Sequence, residues 1–82
     1  MYNSVVSVSP IGDYRLKLTF DNGEVRAFDM KPFLHLGLFR ELKDEALFNT
    51  VRISFDSIQW ENDADFDPES LYNLSRPFQT TE

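Results

Sequence analysis

Residues 14–20 alternate strictly between apolar and polar side chains, and a turn signal follows them directly. The alternation places every second side chain on one face of an extended chain, which predicts a half-buried β-strand. Asp21-Asn22-Gly23-Glu24 comes next, and Asn-Gly between two extended runs is a strong hairpin signal, because a two-residue turn needs positive φ at both positions. The sequence therefore predicts an antiparallel hairpin whose second strand begins at Val25.

The length of this turn decides which residues face each other across the hairpin. With a two-residue loop, Phe20 lies opposite Val25 and Lys17 lies opposite Phe28. Phe28 then falls on the polar face of the sheet, where a large apolar side chain needs a cover. We expect the C-terminal tail or a lysine stem to cover it, and the alternative is a homo-oligomer contact through the Phe28 face.

The rest of the chain divides into further strands and short helical pieces. Residues 5–8 predict a first strand, which the Pro10 to Gly12 turn ends. Residues 32–48 form short apolar helical segments that Gly37 interrupts and Asp44 caps again. Apolar positions change parity between residues 51–55 and 58–60, which predicts a second hairpin with its turn at Asp56-Ser57.

The stretch from Trp60 to Leu74 predicts a short helix with a defined start. Asp67 followed by Pro68 is an N-cap before a residue whose φ suits the first helical position. Leu71 and Leu74 are spaced to share one face, so we expect the helix to pack through both leucines.

Together these elements predict an α+β fold with an antiparallel sheet of about five strands, short helices on one face and a C-terminal helix. The chain of 82 residues fits a single domain over residues 1–78, with a frayed tail at 79–82. Eight phenylalanines and a hydrophobic fraction of 41 % favour a packed core over disorder.

Charge and composition limit the class of function. The net charge is −6, and residues 44–82 carry nearly all of the acidic excess. A surface of this sign repels phosphate backbones and favours a basic protein partner, so direct binding of nucleic acid is disfavoured. The chain has no cysteine, no stretch that could span a bilayer and no basic leader, which together predict a cytoplasmic protein.

No motif in the sequence supports an enzyme or a cofactor site. His35 is the one histidine, and no nucleophile pattern accompanies it. The acids from Asp63 onward resemble the start of a calcium loop, but Pro68 stands where glycine is needed and Leu74 where glutamate is needed. We therefore expect no enzyme activity, no bound metal and no cofactor.

The order of these features resembles DUF2442, a family of small, largely bacterial domains without an established activity. The resemblance implies an α+β domain, and it implies a gene context that is sometimes like that of toxin–antitoxin pairs. It covers nearly the whole chain and is most specific between Trp60 and Tyr72. The matching residues are Leu16 to Phe20, Asn22-Gly23-Glu24, Arg26, Asp29, Pro32, Gly37, Phe39, Leu42, Asp44, Phe48, Val51, Trp60, Ala64-Asp65, Asp67-Pro68-Glu69 and Leu71-Tyr72.

The sequence leaves two binding hypotheses open. The first is a non-catalytic interaction or regulatory module, antitoxin-like, that docks a small basic protein through two aromatic anchors and two acids. The second is a nucleic-acid-associated regulator that uses a basic stripe on the polar face of the sheet, although those cations could instead pair with nearby acids. The first site comprises Trp60, Asp65, Glu69 and Tyr72, and the second comprises Arg15, Lys17, Arg26 and Arg52.

Overall fold

The computed structural model of the protein describes residues 3–78, and the predicted frayed tail at 79–82 lies outside them. The predicted α+β class is confirmed, but the strands are divided between two antiparallel sheets where a single sheet of about five strands was predicted. The strands form two sheets, one with the order β1-β2-β3-β7 and one with the order β4-β5-β6. The elements are β1 (Val5–Pro10), β2 (Arg15–Phe20), β3 (Val25–Asp29), two 3₁₀ segments (Lys31–Phe33 and Gly37–Lys43), α1 (Glu45–Phe48), β4 (Arg52–Ser54), β5 (Ser57–Gln59), β6 (Asp65–Phe66), α2 (Pro68–Leu74) and β7 (Arg76–Pro77).

The first hairpin forms, but its register differs by one residue from the prediction. Gly23 has positive φ (89°) and donates its N–H to the Phe20 carbonyl, while the Phe20 N–H bonds the Glu24 carbonyl. This is a three-residue loop with a glycine bulge rather than a two-residue turn. Because side chains alternate between faces, one extra loop residue moves the side chains of β3 to the opposite face of the sheet.

Phe28 is therefore a core residue, and its predicted place on the polar face of the sheet is wrong. It lies opposite Leu16 instead of Lys17 and is 1 % exposed. Its ring stacks on Phe33 at 5.6 Å and meets Phe66 edge-on at 5.2 Å. Further edge and stacked contacts continue this aromatic row through the core, by way of Phe39, Trp60, Phe48 and Tyr14.

The second hairpin also forms, with its turn one residue earlier than predicted. Ser54 pairs with Ser57, so the turn residues are Phe55 and Asp56, with φ of 47° and 68°. Two positive φ values identify a type I′ turn, which usually holds Asn-Gly. Phe55 consequently leaves the predicted strand face and is 97 % exposed.

The predicted helix caps are confirmed. The Asp44 carboxylate accepts the Ala46 N–H at the start of α1, and Asp67 accepts the Ser70 N–H at the start of α2. Leu71 is fully buried, but Leu74 is 55 % exposed, so the predicted packing through both leucines is wrong for the second. The helix ends at Leu74, where the chain turns toward β7.

Arg26 connects the end of α2 to the first sheet by hydrogen bonds. Its guanidinium donates to the hydroxyl and the carbonyl of Ser75 and forms an ion pair with Glu24 at 2.8 Å. The Tyr72 hydroxyl donates to the other oxygen of Glu24 at 2.6 Å, and the Arg26 guanidinium lies 4.6 Å from the centre of the Tyr72 ring. Glu24 thus joins the hairpin to the C-terminal helix.

This network predicts a stability contribution that disappears at both ends of the pH scale. The hydrogen bond from Tyr72, aided by Arg26, lowers the pKa of Glu24, and the same bond raises the pKa of Tyr72. The contribution is therefore present above the unfolded pKa of glutamate, about 4.3, and below that of tyrosine, about 10. It is lost as pH falls through the lowered Glu24 pKa or rises through the raised Tyr72 pKa.

Tyr72→Phe removes the shared bond, so we expect its deficit in melting temperature to be largest near neutral pH and to shrink toward both extremes. Scanning calorimetry of both proteins at acidic, neutral and alkaline pH measures this deficit. A deficit that is constant across pH would show that the hydroxyl acts independently of the charge on Glu24, and the absence of any deficit would show that Tyr72 acts only through its ring.

Candidate functional site

The predicted docking residues do not lie on one surface. Trp60 is fully buried, and its indole N–H donates to the Phe48 carbonyl at 2.9 Å. It belongs to the aromatic core and cannot act as a surface anchor. Tyr72 is half-buried against Phe20, at a ring distance of 5.1 Å, and its hydroxyl is engaged by Glu24.

Asp65 and Glu69 are both exposed, as the docking hypothesis requires. Asp65 belongs to β6, where it pairs with Gln59 of β5. Glu69 lies in the first turn of α2. Of the four docking residues, Asp65 borders two grooves.

The first groove has apolar walls and an acidic rim. It has a volume of about 330 Å³ and lies between the loop after the first 3₁₀ segment and the turn before β6. Leu36 and Leu38 on one wall are 46 % and 51 % exposed. The side chains of Asp63 and Asp65, within residues 3–78, form no hydrogen bond or ion pair. The groove is lined by Leu36, Gly37, Leu38, Phe39, Asp63, Ala64 and Asp65.

The second groove also borders Asp65. It has a volume of about 240 Å³ and lies between the second hairpin and the start of α2. Its lining consists of Ser54, Phe55, Ser57, Ile58, Gln59, Asp65, Phe66 and Pro68. We call the two grooves together the acidic-apolar surface.

The side chain of Asn62 connects the two walls of the first groove by hydrogen bonds. Its amide nitrogen donates to the Leu38 carbonyl at 3.3 Å and to the Glu41 carboxylate at 2.9 Å, while its oxygen accepts the Ala64 N–H. These bonds tie the second 3₁₀ segment to the turn that carries both free acids. The neighbouring Asp63 takes a φ of 72°, a conformation that costs energy and is often found at functional sites.

We expect Asn62→Ala to lower the free energy of unfolding by about 1–2 kcal/mol, because three modest hydrogen bonds are lost at a partly exposed site. Urea denaturation measures the loss, and hydrogen exchange at the Ala64 amide should accelerate. Asn73→Ala, on an exposed position of α2, is the matched control and should change stability by less than about 0.5 kcal/mol. Equal effects of the two variants would contradict the bracing role.

The predicted basic stripe is not formed by its four residues. Arg26 lies opposite Leu18 on the inner face of the first sheet, and Arg52 belongs to the second sheet, where it pairs with Glu61 at 3.7 Å. The predicted pairing of these two arginines with nearby acids is confirmed. Arg15 and Lys17 remain on the outer face, where a groove of about 430 Å³ lies between Arg15, Ala27, Asp29, Pro32, Phe33, Leu74 and Arg76.

Sequence reasoning missed Leu36, Leu38, Phe55 and Asp63 as surface residues. Leu36 is an extended residue just before the second 3₁₀ segment, and Leu38 lies in that segment, so the spacing typical of an α-helix gives no reliable inner face for either. Within residues 3–78, no group of three or more metal-binding side chains is close enough to hold an ion. The helices of these residues are too short and too polar to cross a bilayer.

Comparison with known proteins identifies the family. The sequence model of DUF2442, described as a protein of unknown function, matches residues 5–77. The chain belongs to the DUF2442 family. No curated protein and no solved structure matches it. The DUF2442 match includes both hairpins, α2 and the whole acidic-apolar surface, so these features lie within the family domain.

Proposed function

We propose that this DUF2442 domain is a cytoplasmic, non-catalytic interaction module that docks a small basic protein through its acidic-apolar surface. The observation that carries the proposal is a pair of unpaired carboxylates, Asp63 and Asp65, beside the exposed side chains of Leu36 and Leu38. Apolar side chains provide binding energy when they lose contact with water, and free acids select a partner of the opposite charge.

The charge of the whole chain also favours a basic protein as the partner. The net charge is −6, and both free acids belong to the half of the chain that carries the acidic excess. Such a field speeds the approach of a basic protein and repels an acidic one. An antitoxin-like role, in which the domain covers a basic partner, is one form that this proposal takes.

Purification of the tagged protein from its native host, at native expression level and moderate salt, tests the proposal. We expect one basic protein at stoichiometric amounts, and we expect Asp63→Asn combined with Asp65→Asn to reduce its yield. Asp21→Asn combined with Glu45→Gln removes the same charge elsewhere on the exposed surface and should leave the yield unchanged. Equal losses from both double variants would show that only net charge matters, and recovery of no basic protein would contradict the proposal.

Nucleic acid remains the competing ligand, because Arg15 and Lys17 share the outer sheet face with the groove that Arg76 borders. Retention on a DNA column that falls steeply with salt and depends on these three residues would favour it over a protein partner.

A further inference from the structure

The backbone on both sides of Phe55 is hydrogen-bonded within the fold, while its ring lies in the solvent. Strand pairing on both sides of the turn fixes Ser54 opposite Ser57, and the Asp56 carbonyl accepts the Val5 N–H from β1 at 2.9 Å. The ring is 97 % exposed even though its backbone is anchored. A partner can therefore bind it without first ordering the turn, which removes one entropic cost of association.

The same turn uses a residue that its geometry disfavours. A type I′ turn favours Asn-Gly, and a bulky side chain at positive φ is uncommon. Phe55 adopts a φ of 47° and also leaves its whole ring in water. Neither property stabilises the folded chain, so the residue is better explained by contact with another molecule.

The acidic-apolar surface has one acidic residue that its two grooves share. Asp65 borders both the groove of Leu36 and Leu38 and the groove of Phe55. A ligand that occupies both grooves therefore lies next to Asp65, whose carboxylate is free within residues 3–78. A lysine or arginine at that point would form a charge-assisted hydrogen bond, and apolar residues on either side would fill the grooves.

The edge of the second sheet favours an extended ligand. Within residues 3–78, β6 pairs with β5 on one side and with no strand on the other. Main-chain groups on an open strand edge can bind a peptide in extended form, while pockets beside the strand select its side chains. Asp65 is itself a residue of β6.

We propose, building on the proposed function, that the acidic-apolar surface binds an extended segment of its partner that carries an apolar residue on each side of a lysine or arginine. The segment lies across both grooves with its cation at Asp65. This proposal assigns Phe55 as an anchor and Asp65 as the residue that selects charge.

Selection from a random dodecapeptide library displayed on phage, with the full chain immobilised, tests the proposal. We expect enriched peptides to be basic, with apolar residues on both sides of the cation. The best peptide, made synthetically with a fluorescent label, then gives dissociation constants by anisotropy at two salt concentrations. Enrichment of acidic peptides would overturn both this proposal and the proposed function, whereas enrichment of no peptide would overturn this proposal and leave the docking of a folded basic protein to the purification experiment.

Four variants separate binding from folding. Phe55→Asn relieves the turn and should raise Tm by about 5 °C, yet it should weaken peptide binding about 10-fold or more because an anchor is lost. Asp65→Asn should weaken binding about 3-fold and reduce its salt dependence. Leu74→Asn and Asp21→Asn change exposed residues elsewhere, so they should leave binding unchanged.

The outcomes distinguish the two proposals. Basic peptides that bind Phe55→Asn and Asp65→Asn as tightly as the unaltered chain would overturn the roles assigned to Phe55 and Asp65. The proposed function would then stand only if Asp63→Asn combined with Asp65→Asn still reduced the yield of the basic protein from the native host. Sedimentation of the unaltered chain as a dimer that Phe55→Asn dissociates would also overturn the assignment, because the occupant would then be a second copy.

Discussion

Replacement of Trp60 by alanine is expected to lower the free energy of unfolding by about 3–5 kcal/mol. Trp60 is fully buried between the rings of Phe39 and Phe48, so its removal leaves a cavity that the neighbouring rings cannot fill. The Phe48 carbonyl also loses its donor in a buried position, which adds a further cost. A domain of this size has a total stability of about 4–12 kcal/mol, so this loss removes a large share of it.

Urea denaturation followed by far-ultraviolet circular dichroism measures this loss without relying on the removed fluorophore. Trp60→Phe is the informative companion, because it keeps an aromatic ring and removes only the N–H and part of the volume. We expect Trp60→Phe to lower the free energy of unfolding, but by less than Trp60→Ala does. A change below about 1 kcal/mol for Trp60→Ala would place the side chain at the surface, where large effects on stability are rare.

The second large effect compares two phenylalanines that the sequence assigns wrongly. Phe28→Ala should cost about 3–5 kcal/mol, because its ring is buried against Phe33 and Phe66. Phe55→Ala should change stability by less than about 1 kcal/mol, because its ring contacts mainly water. A two-residue loop in the first hairpin would give Phe28 the smaller effect, and that result would contradict the observed register.

Caps and turns could be predicted where a few adjacent residues determine the structure. Asp44 and Asp67 cap α1 and α2 as expected, because a carboxylate before a helix can reach only the N–H groups of the next residues. The positions of both hairpins were also correct to within one residue. Local chemistry was sufficient for these features.

The register of the first hairpin could not be decided in this way. Asn-Gly suits both a two-residue turn and the second half of a three-residue loop with a bulge, and the two differ by one position. That single position decides whether Arg26 and Phe28 or Val25 and Ala27 face the core, and with it whether Arg26 can join the predicted basic stripe on the outer face. Burial of Phe28 in the aromatic row agrees with the longer loop, and this contact involves residues far apart in the chain.

The candidate site was predictable only in part. Asp65 was singled out because no cap or turn requires it, and it lies where the two grooves meet. Trp60 was assigned to the surface because tryptophan is common at interfaces, but the alternation with Ile58 already favoured the core. Phe55 could not be found from its strand pattern, because its exposure follows from a turn that its own sequence disfavours.

Crosslinking in the native host tests the central claim most directly, which is that this domain engages a basic protein through the acidic-apolar surface. A photoreactive phenylalanine analogue replaces Leu38, Phe55 or, as a control on the outer sheet face, Lys17. We predict one adduct of a basic protein from positions 38 and 55 and none from position 17. An adduct from position 17 alone, or no adduct from the two groove positions, would contradict the account.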